Sequence, residues 1–121
     1  FAYYDENKGK LKAVPIVNPK GVAVTPSIDA VMAGEYEPLA RPIFIYVSAK
    51  SMDRPEVREF VEFYLKEGGK LAKEVKYVPL GAADYKHALE NFSKKKTGTA
   101  FGGEAEVGVK VADLLKRDPK E

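Results

Sequence analysis

Few residues in this chain have the types and spacings that chemistry needs. His87 is the only histidine among 121 residues and cysteine is absent, so neither a two-histidine metal pair nor a thiol nucleophile can form. Ser48 and Ser51 lie in a loop between a predicted strand and a predicted helix, not in a nucleophile elbow. The sequence therefore predicts no catalytic residue, no metal site and no cofactor.

Two further groups of residues have simpler explanations than a binding site. The string KTGT at residues 96–99 has the lysine, glycine and hydroxyls of a phosphate cradle, but it follows a predicted helix instead of preceding one. The lysines at 94–96 suit the negative end of that helix. We expect no anion site there. The acids Glu56, Glu59 and Glu62 are predicted to line a solvated helix face.

The composition indicates a folded protein of modest size. Twenty basic and 18 acidic residues leave a net charge of +2. They are interleaved along the chain, which is not typical of a nucleic-acid binder. No apolar run approaches the roughly 20 residues that cross a bilayer. The length fits a single domain, but the elements below do not complete one.

The first half of the chain alternates short elements with turns. Residues 1–7 read as the end of a helix, and residues 11–17 as a short strand that Pro15 restricts to an edge or an end. Residues 18–21, NPKG, predict a turn. Thr25 is the predicted N-cap of a short helix that Gly34 ends. Residues 43–47, IFIYV, then predict a buried strand covered on both faces.

The second half is mainly helical. A stripe of apolar residues predicts one amphipathic helix, which we expect Gly68 and Gly69 to end; the stripe is Val57, Phe60, Val61, Tyr64 and Leu65. Beyond the glycines, Leu71, Ala72 and Val75 indicate a short continuation or a second helical turn. Residues 82–95 predict another helix, residues 97–108 an extended tail, and residues 109–116 a strand or a short helix. This is an α/β pattern with too few strands for a complete sheet, so we expect an incomplete domain.

Several strings together resemble the C-terminal part of the periplasmic phosphate-binding proteins (PstS-type) of phosphate ABC importers. They are FAYYDENKGKLKAV at the start, PLARPIFIYV at residues 38–47, VREFVEFYLKEG at 57–68 and YVPL at 77–80. The resemblance implies a partial type II periplasmic-binding-protein-like (venus-flytrap) fold, C-terminal segment. Residues 1–40 would end the second lobe and approach the hinge. Residues 41–121 would hold the hinge strand, the C-terminal part of the first lobe and an extended tail.

The same resemblance implies a role in phosphate binding and delivery to an ABC permease. The family's phosphate contacts lie mainly in earlier loops that this chain lacks, so no ligand-binding residue is carried over. The implied partners are inorganic phosphate, the permease and a missing N-terminal portion of the same protein. The implied location is periplasmic or extracellular, with a membrane anchor in that missing portion as an option.

An alternative interpretation remains open at this point. The chain could be an autonomous α/β interaction module without ligand binding, using either the lysines at 94–96 or the aromatic residues Phe1, Tyr3 and Tyr4 as its contact. We favour a second explanation for these aromatics, as core residues without their partners. An incomplete lobe should expose apolar surface, and a homodimer of the fragment is one way to cover it.

Overall fold

The computed structural model describes residues 2–102, 104, 106 and 109–117. Five helices, one antiparallel strand pair and a 3₁₀ turn make up the described part. In chain order they are α1 (Ala2–Glu6), β1 (Ile16–Val17), β2 (Ala23–Val24), α2 (Ile28–Met32), the 3₁₀ turn (Ala49–Ser51), α3 (Pro55–Glu74), α4 (Ala82–Ser93) and α5 (Val111–Leu114).

The two strands form a hairpin closed by Asn18. Ile16 pairs with Val24 and Val17 with Ala23. The buried Asn18 side chain accepts hydrogen bonds from the backbone N–H groups of Lys20 and Val22, both at 3.0 Å. This confirms the predicted turn. The predicted strand over residues 11–17 shrinks to two residues, which follow Pro15 directly.

Helix α2 begins later than the sequence predicts. Ser27 is the N-cap, and its Oγ accepts a hydrogen bond from the Ala30 N–H at 3.0 Å. The prediction of Thr25 was wrong because Ser27 holds the extended backbone that a cap requires. The predicted stop is confirmed: Gly34 has a φ of 72°, and the Gly34 and Glu35 N–H groups bond the carbonyls of Val31 and Ala30. These two bonds define a Schellman motif.

Helix α3 continues through the two glycines that we expected to end it. It extends from Pro55 to Glu74, and Gly68 and Gly69 lie against the ring of Tyr85 on α4. A Cβ at Gly68 would lie 2.9 Å from Tyr85 Cε1, closer than carbon atoms approach. The prediction was wrong because these glycines serve close packing between two helices. That function is invisible in a local pattern.

Residues 43–47 do not form the predicted strand in this chain. No described residue pairs with them, and their N–H groups make no backbone hydrogen bond within the described part. Their side chains are mostly exposed and not buried on two faces. A strand is stabilised by hydrogen bonds to a neighbouring strand, and the sheet of the described part consists of β1 and β2 alone.

The remaining elements follow the predictions more closely. The helix predicted over 82–95 is α4, Ala82–Ser93, and the short-helix alternative for 109–116 is α5. The predicted tail at 97–108 includes residues 103, 105, 107 and 108, which lie outside the described residues. Its described part turns at residues 100–102 instead of staying extended.

The chain exposes far more surface than a closed globule. Its accessible surface is 9090 Å², whereas a folded monomer of 13.3 kDa exposes about 6,500 Å². No described side chain is less than 2% exposed, and the core is small: Val24, Ala30, Met52, Val61 and Leu114. We expect such an excess of exposed surface for an incomplete domain.

Candidate functional site

The segment that the resemblance identifies as a hinge contains four exposed apolar or aromatic side chains in succession. We call residues 41–47 the hinge segment. Ile43 is 75% exposed and Tyr46 90% exposed, while Phe44 and Ile45 are a little under half exposed. The 3₁₀ turn Ala49–Ser51 and helix α3 follow the segment directly. Two prolines, Pro38 and Pro42, keep the chain before it out of helical conformation.

One side of the hinge segment is packed against the C-terminal region. The rings of Phe44 and Phe101 meet edge to face, with centroids 5.7 Å apart and an interplanar angle of 89°, a favourable arrangement for an aromatic pair. Beside them is a shallow depression of about 230 Å³, lined by Pro38, Ala40, Arg41, Pro42, Phe101, Glu106, Val109 and Leu114. The hinge segment is therefore held from one side.

Arg117 braces the C-terminal region that carries Phe101. Its Nη1 donates to the Ala100 carbonyl at 3.3 Å and to Glu106 Oε1 at 2.7 Å, while Nη2 donates to Oε2 at 3.0 Å. This bidentate pair raises the pKa of the Arg117 guanidinium. Leu114, only 4% exposed, lines the same depression. The contacts fix Phe101 where it meets Phe44.

A second depression lies near the hairpin. It measures about 360 Å³ and is lined by Tyr4, Leu11, Lys12, Ala13, Val14, Pro26 and Tyr36. Of the aromatics at the chain start, Tyr4 is half-buried here and Tyr3 is 83% exposed, while Phe1 lies outside the described residues. The lining is mostly apolar with one lysine. It has no converging set of donors such as a phosphate needs.

The structure does not bring the sequence candidates together into a site. His87 is exposed on α4. At residues 96–99, Gly98 has a φ of 97°, and Thr99 Oγ1 accepts a hydrogen bond from the Phe101 N–H at 3.2 Å. This hydroxyl oxygen therefore stabilises the local turn. Lys95 Nζ bonds Asp53 Oδ1 at 2.7 Å. That no ligand residue is present stays a prediction.

Two of the three predicted solvated acids form ion pairs, one at the start of α3 and one along it. Glu62 pairs with Lys66 at 3.2 Å and Glu56 with Arg54 at 2.6 Å. The pKa of Glu56 is lowered, first by its own backbone N–H at the helix start and then by Arg54. Within the described residues, no three His, Cys, Asp or Glu side chains come together as metal ligands. No helix there is long and apolar enough to cross a membrane.

The pair between Lys95 and Asp53 connects the end of α4 to the start of α3. The hydrogen bond from Lys95 lowers the pKa of Asp53 below its ordinary 3.8. A carboxyl with a depressed folded-state pKa stabilises the fold above its unfolded pKa, and this is lost as pH falls through the folded value. The contribution is therefore full at pH 7 and disappears below about pH 4.

We accordingly expect Asp53→Asn to lower the thermal midpoint at pH 7 and to leave it unchanged near pH 2. Melting curves followed by circular dichroism from pH 2 to pH 7 measure this difference. The control is Lys95→Met, which should give the same loss at pH 7, and added salt should shrink both effects because the pair is exposed. Equal midpoints for wild type and Asp53→Asn at pH 7 would contradict the prediction.

Sequence reasoning missed three residues that organise the structure. Phe101 was assigned to the extended tail predicted over residues 97–108, although it is the only aromatic residue in that stretch of the sequence. Gly68 and Gly69 were read as a helix end. Leu71 and Ala72 indicated a continuation beyond them, and the structure shows that this continuation belongs to the same helix.

Comparisons with known proteins find relatives along nearly the whole chain. No family model matches. The chain is 52% identical over 118 residues to the protein SphX of Synechococcus elongatus. This match covers 98% of this chain and 35% of SphX. It is 38% identical over 95 residues to the phosphate-binding protein PstS of Staphylococcus haemolyticus, covering 78% and 30%. A crystal structure of a possible phosphate binding protein from Planctomyces limnophilus matches 96% of this chain and 35% of its own, with a TM-score of 0.60 and 36% identity.

These matches confirm the resemblance to PstS-type proteins and, with the solved structure, the partial α/β binding-protein fold. The chain spans about a third of the length of the relatives it matches. The chain is therefore similar to PstS-type proteins over nearly its whole length.

Proposed function

We propose that this PstS-like segment is the scaffold and hinge portion of a substrate-binding protein, which binds phosphate and delivers it to an ABC permease. The observation that carries the proposal is the match of 98% of the chain to about a third of a longer relative. A relative named as phosphate-binding matches 78% of the chain. The protein is non-enzymatic, and it works outside the cytoplasmic membrane, in the periplasm or at the cell surface.

The division of the chain into two lobes is part of this proposal. Residues 1–40 end the second lobe, the hinge segment crosses between the lobes, and α3 and α4 belong to the first lobe. The exposure of the hinge segment supports this division. Ile43 and Tyr46 are exposed side chains in a stretch whose backbone N–H groups have no backbone partner within the described residues. A strand from the rest of the protein would satisfy them.

The surface of the chain argues against an autonomous interaction module. A module that folds alone should close its core, but this chain exposes 9090 Å², about 40% more than a monomer of its mass. Exposed apolar residues occur on the hairpin, on the hinge segment and on α3, among other places; Val17, Ile43 and Phe60 are examples. One binding patch does not account for apolar side chains on three separate elements.

The proposal predicts that phosphate binding requires the rest of the protein. We expect no micromolar binding by the 121-residue chain in isothermal titration with inorganic phosphate. The linings of the two depressions are mainly apolar, and each contains a single basic side chain, Lys12 in one and Arg41 in the other. The partner experiment is a chimera in which this chain replaces the region it matches in Staphylococcus haemolyticus PstS. We expect this chimera to bind phosphate, with intact PstS as the positive control.

Two results would contradict the proposal. A chimera that folds as intact PstS does but fails to bind phosphate would show that this segment cannot serve in a phosphate-binding protein. Micromolar binding by the chain alone would move the site to this chain, and residues 96–99 with the preceding lysines would be its first candidate. Sulfate titrations run in parallel would separate phosphate selectivity from general anion binding.

A further inference from the structure

Helix α3 carries an apolar stripe that α4 covers only in part. Successive residues of a helix are turned by about 100°, so the stripe from Phe60 through Tyr64 to Val61 and Leu65 spans about 140° of the circumference. Val61 is 4% exposed, whereas Phe60 is 64% exposed. The two edges of one stripe therefore have opposite environments.

The covered edge is the one that contains the glycines. Val61, Leu65 and Ala72 lie within about 60° of Gly68 around the helix, and Gly68 contacts the Tyr85 ring of α4. Of these three, Val61 is buried and the other two are half-buried. This edge is the packing surface between α3 and α4.

The uncovered edge, which we call the outer face, consists of Phe60, Tyr64 and Leu71. These residues fall within about 40° of one another around the helix, and all three are exposed. The Phe60 and Tyr64 rings lie 6.3 Å apart and tilted by 37°, so they present a joined aromatic surface. The polar side chains Glu62, Lys66 and Lys73 occupy the opposite side of the helix.

We propose that the outer face is an internal packing surface, covered by the part of the same PstS-like polypeptide that lies outside this chain. The inference rests on the proposed function, because it requires a longer protein. In that protein α3 is a central helix with a neighbour on each edge of its stripe. An aromatic pair with an adjoining leucine buries well against an apolar surface.

A second copy of the chain is the competing occupant, and two observations weigh against it. The relatives extend well beyond the match, which covers 35% of SphX, so ample chain is present to cover the face. The surface in excess of a closed monomer is about 2,600 Å², roughly three times what one partner buries in a standard interface. A twofold dimer uses one patch per copy, while apolar exposure here extends over the hairpin, the hinge segment and α3.

Cysteine labelling tests this cleanly because the chain contains no cysteine. Phe60→Cys probes the outer face, and Leu71→Cys probes the same face about three turns further along the helix. Lys73→Cys, on the polar side, is the matched control. Each is made in this chain and in a chimera with Synechococcus elongatus SphX, the relative with 52% identity, in which any cysteine of SphX has been replaced by serine. The rate of reaction with a maleimide is measured under native conditions.

In the chain alone we expect all three cysteines to react at similar rates. In the chimera, Phe60→Cys and Leu71→Cys should react about tenfold or more slowly, since labelling then requires local opening, while Lys73→Cys stays fast. Equal rates in a folded chimera overturn the inference. So does a chimera that fails to fold where intact SphX folds.

Protection of Phe60→Cys in the chain alone, rising with concentration and accompanied by a dimer mass in light scattering, would assign the face to a second copy. The phosphate titration uses a different host protein, PstS, so its result is independent of the labelling result in the SphX chimera. A phosphate-binding PstS chimera with an unprotected outer face in SphX would overturn this inference and leave the proposed function standing.

Discussion

Replacing Gly68 with leucine should lower the free energy of unfolding by about 1–3 kcal/mol, the usual cost of forcing volume into a packed contact. The reason is the approach of α4: a Cβ at this position would already lie 2.9 Å from Tyr85 Cε1 and 3.4 Å from Cζ. A longer side chain must displace the ring or separate the helices. Urea unfolding followed by circular dichroism measures the loss.

Gly69 is the matched control one residue further along the same helix. Its Cβ would meet Tyr85 Cε2 at 3.4 Å, close to an ordinary contact. Gly69→Ala should therefore raise the free energy of unfolding by most of the difference in helix propensity between alanine and glycine, which is about 0.5–1 kcal/mol. The free energy of unfolding of Gly68→Ala should be lower than that of Gly69→Ala. The same gain in helix propensity is offset at Gly68 by the shift that Tyr85 must make.

A double mutant separates the contact from other effects of the leucine. In a Tyr85→Ala background the obstruction is removed, so Gly68→Leu should cost clearly less than it does in the wild type. A Gly68→Leu chain as stable as wild type would show that α3 and α4 do not approach as described. An equal cost in both backgrounds would show that the loss has another origin.

The helices could be predicted from the sequence because their signals are local. The stripe that begins at Val57 and the cap-and-glycine pattern around α2 depend on residues a few positions apart. Even there, the choice between Thr25 and Ser27 depended on which residue adopts extended backbone. The glycines of α3 could not be interpreted locally, because Tyr85 lies on another helix and decides their function.

The candidate site was harder to predict because the conformation of the hinge segment depends on which other parts of the protein pair and pack with it. Residues 43–47 have strong strand propensity, but propensity for a strand is realised through pairing and packing with neighbours. In this chain Phe44 finds a partner in Phe101, and within the described residues the backbone of the segment finds none. The same sequence thus predicts a buried strand while the isolated chain exposes it. Under the proposed function, a neighbouring strand in a longer protein would reconcile the two.

This difference between the chain and the longer protein makes Ile43→Lys a decisive substitution. In the chain alone Ile43 is 75% exposed, so the change should alter the free energy of unfolding by no more than about 0.5 kcal/mol. In the PstS chimera the same position should lie in a strand covered on both faces. An unpaired charge buried there should cost about 3–5 kcal/mol, and phosphate affinity should fall with the loss of the fold.

Ser48→Lys is the control, since Ser48 is exposed one residue beyond the predicted strand, and we expect it to be tolerated in both settings. Urea unfolding of the four variant proteins and phosphate titration of the two chimeras provide the measurements. If Ile43→Lys is harmless in a folded, phosphate-binding chimera, the hinge segment is not a buried strand of the longer protein. If it unfolds the chain alone, the segment already supports the fold without a partner. Only a large cost confined to the chimera agrees with a strand that is completed by the rest of the protein.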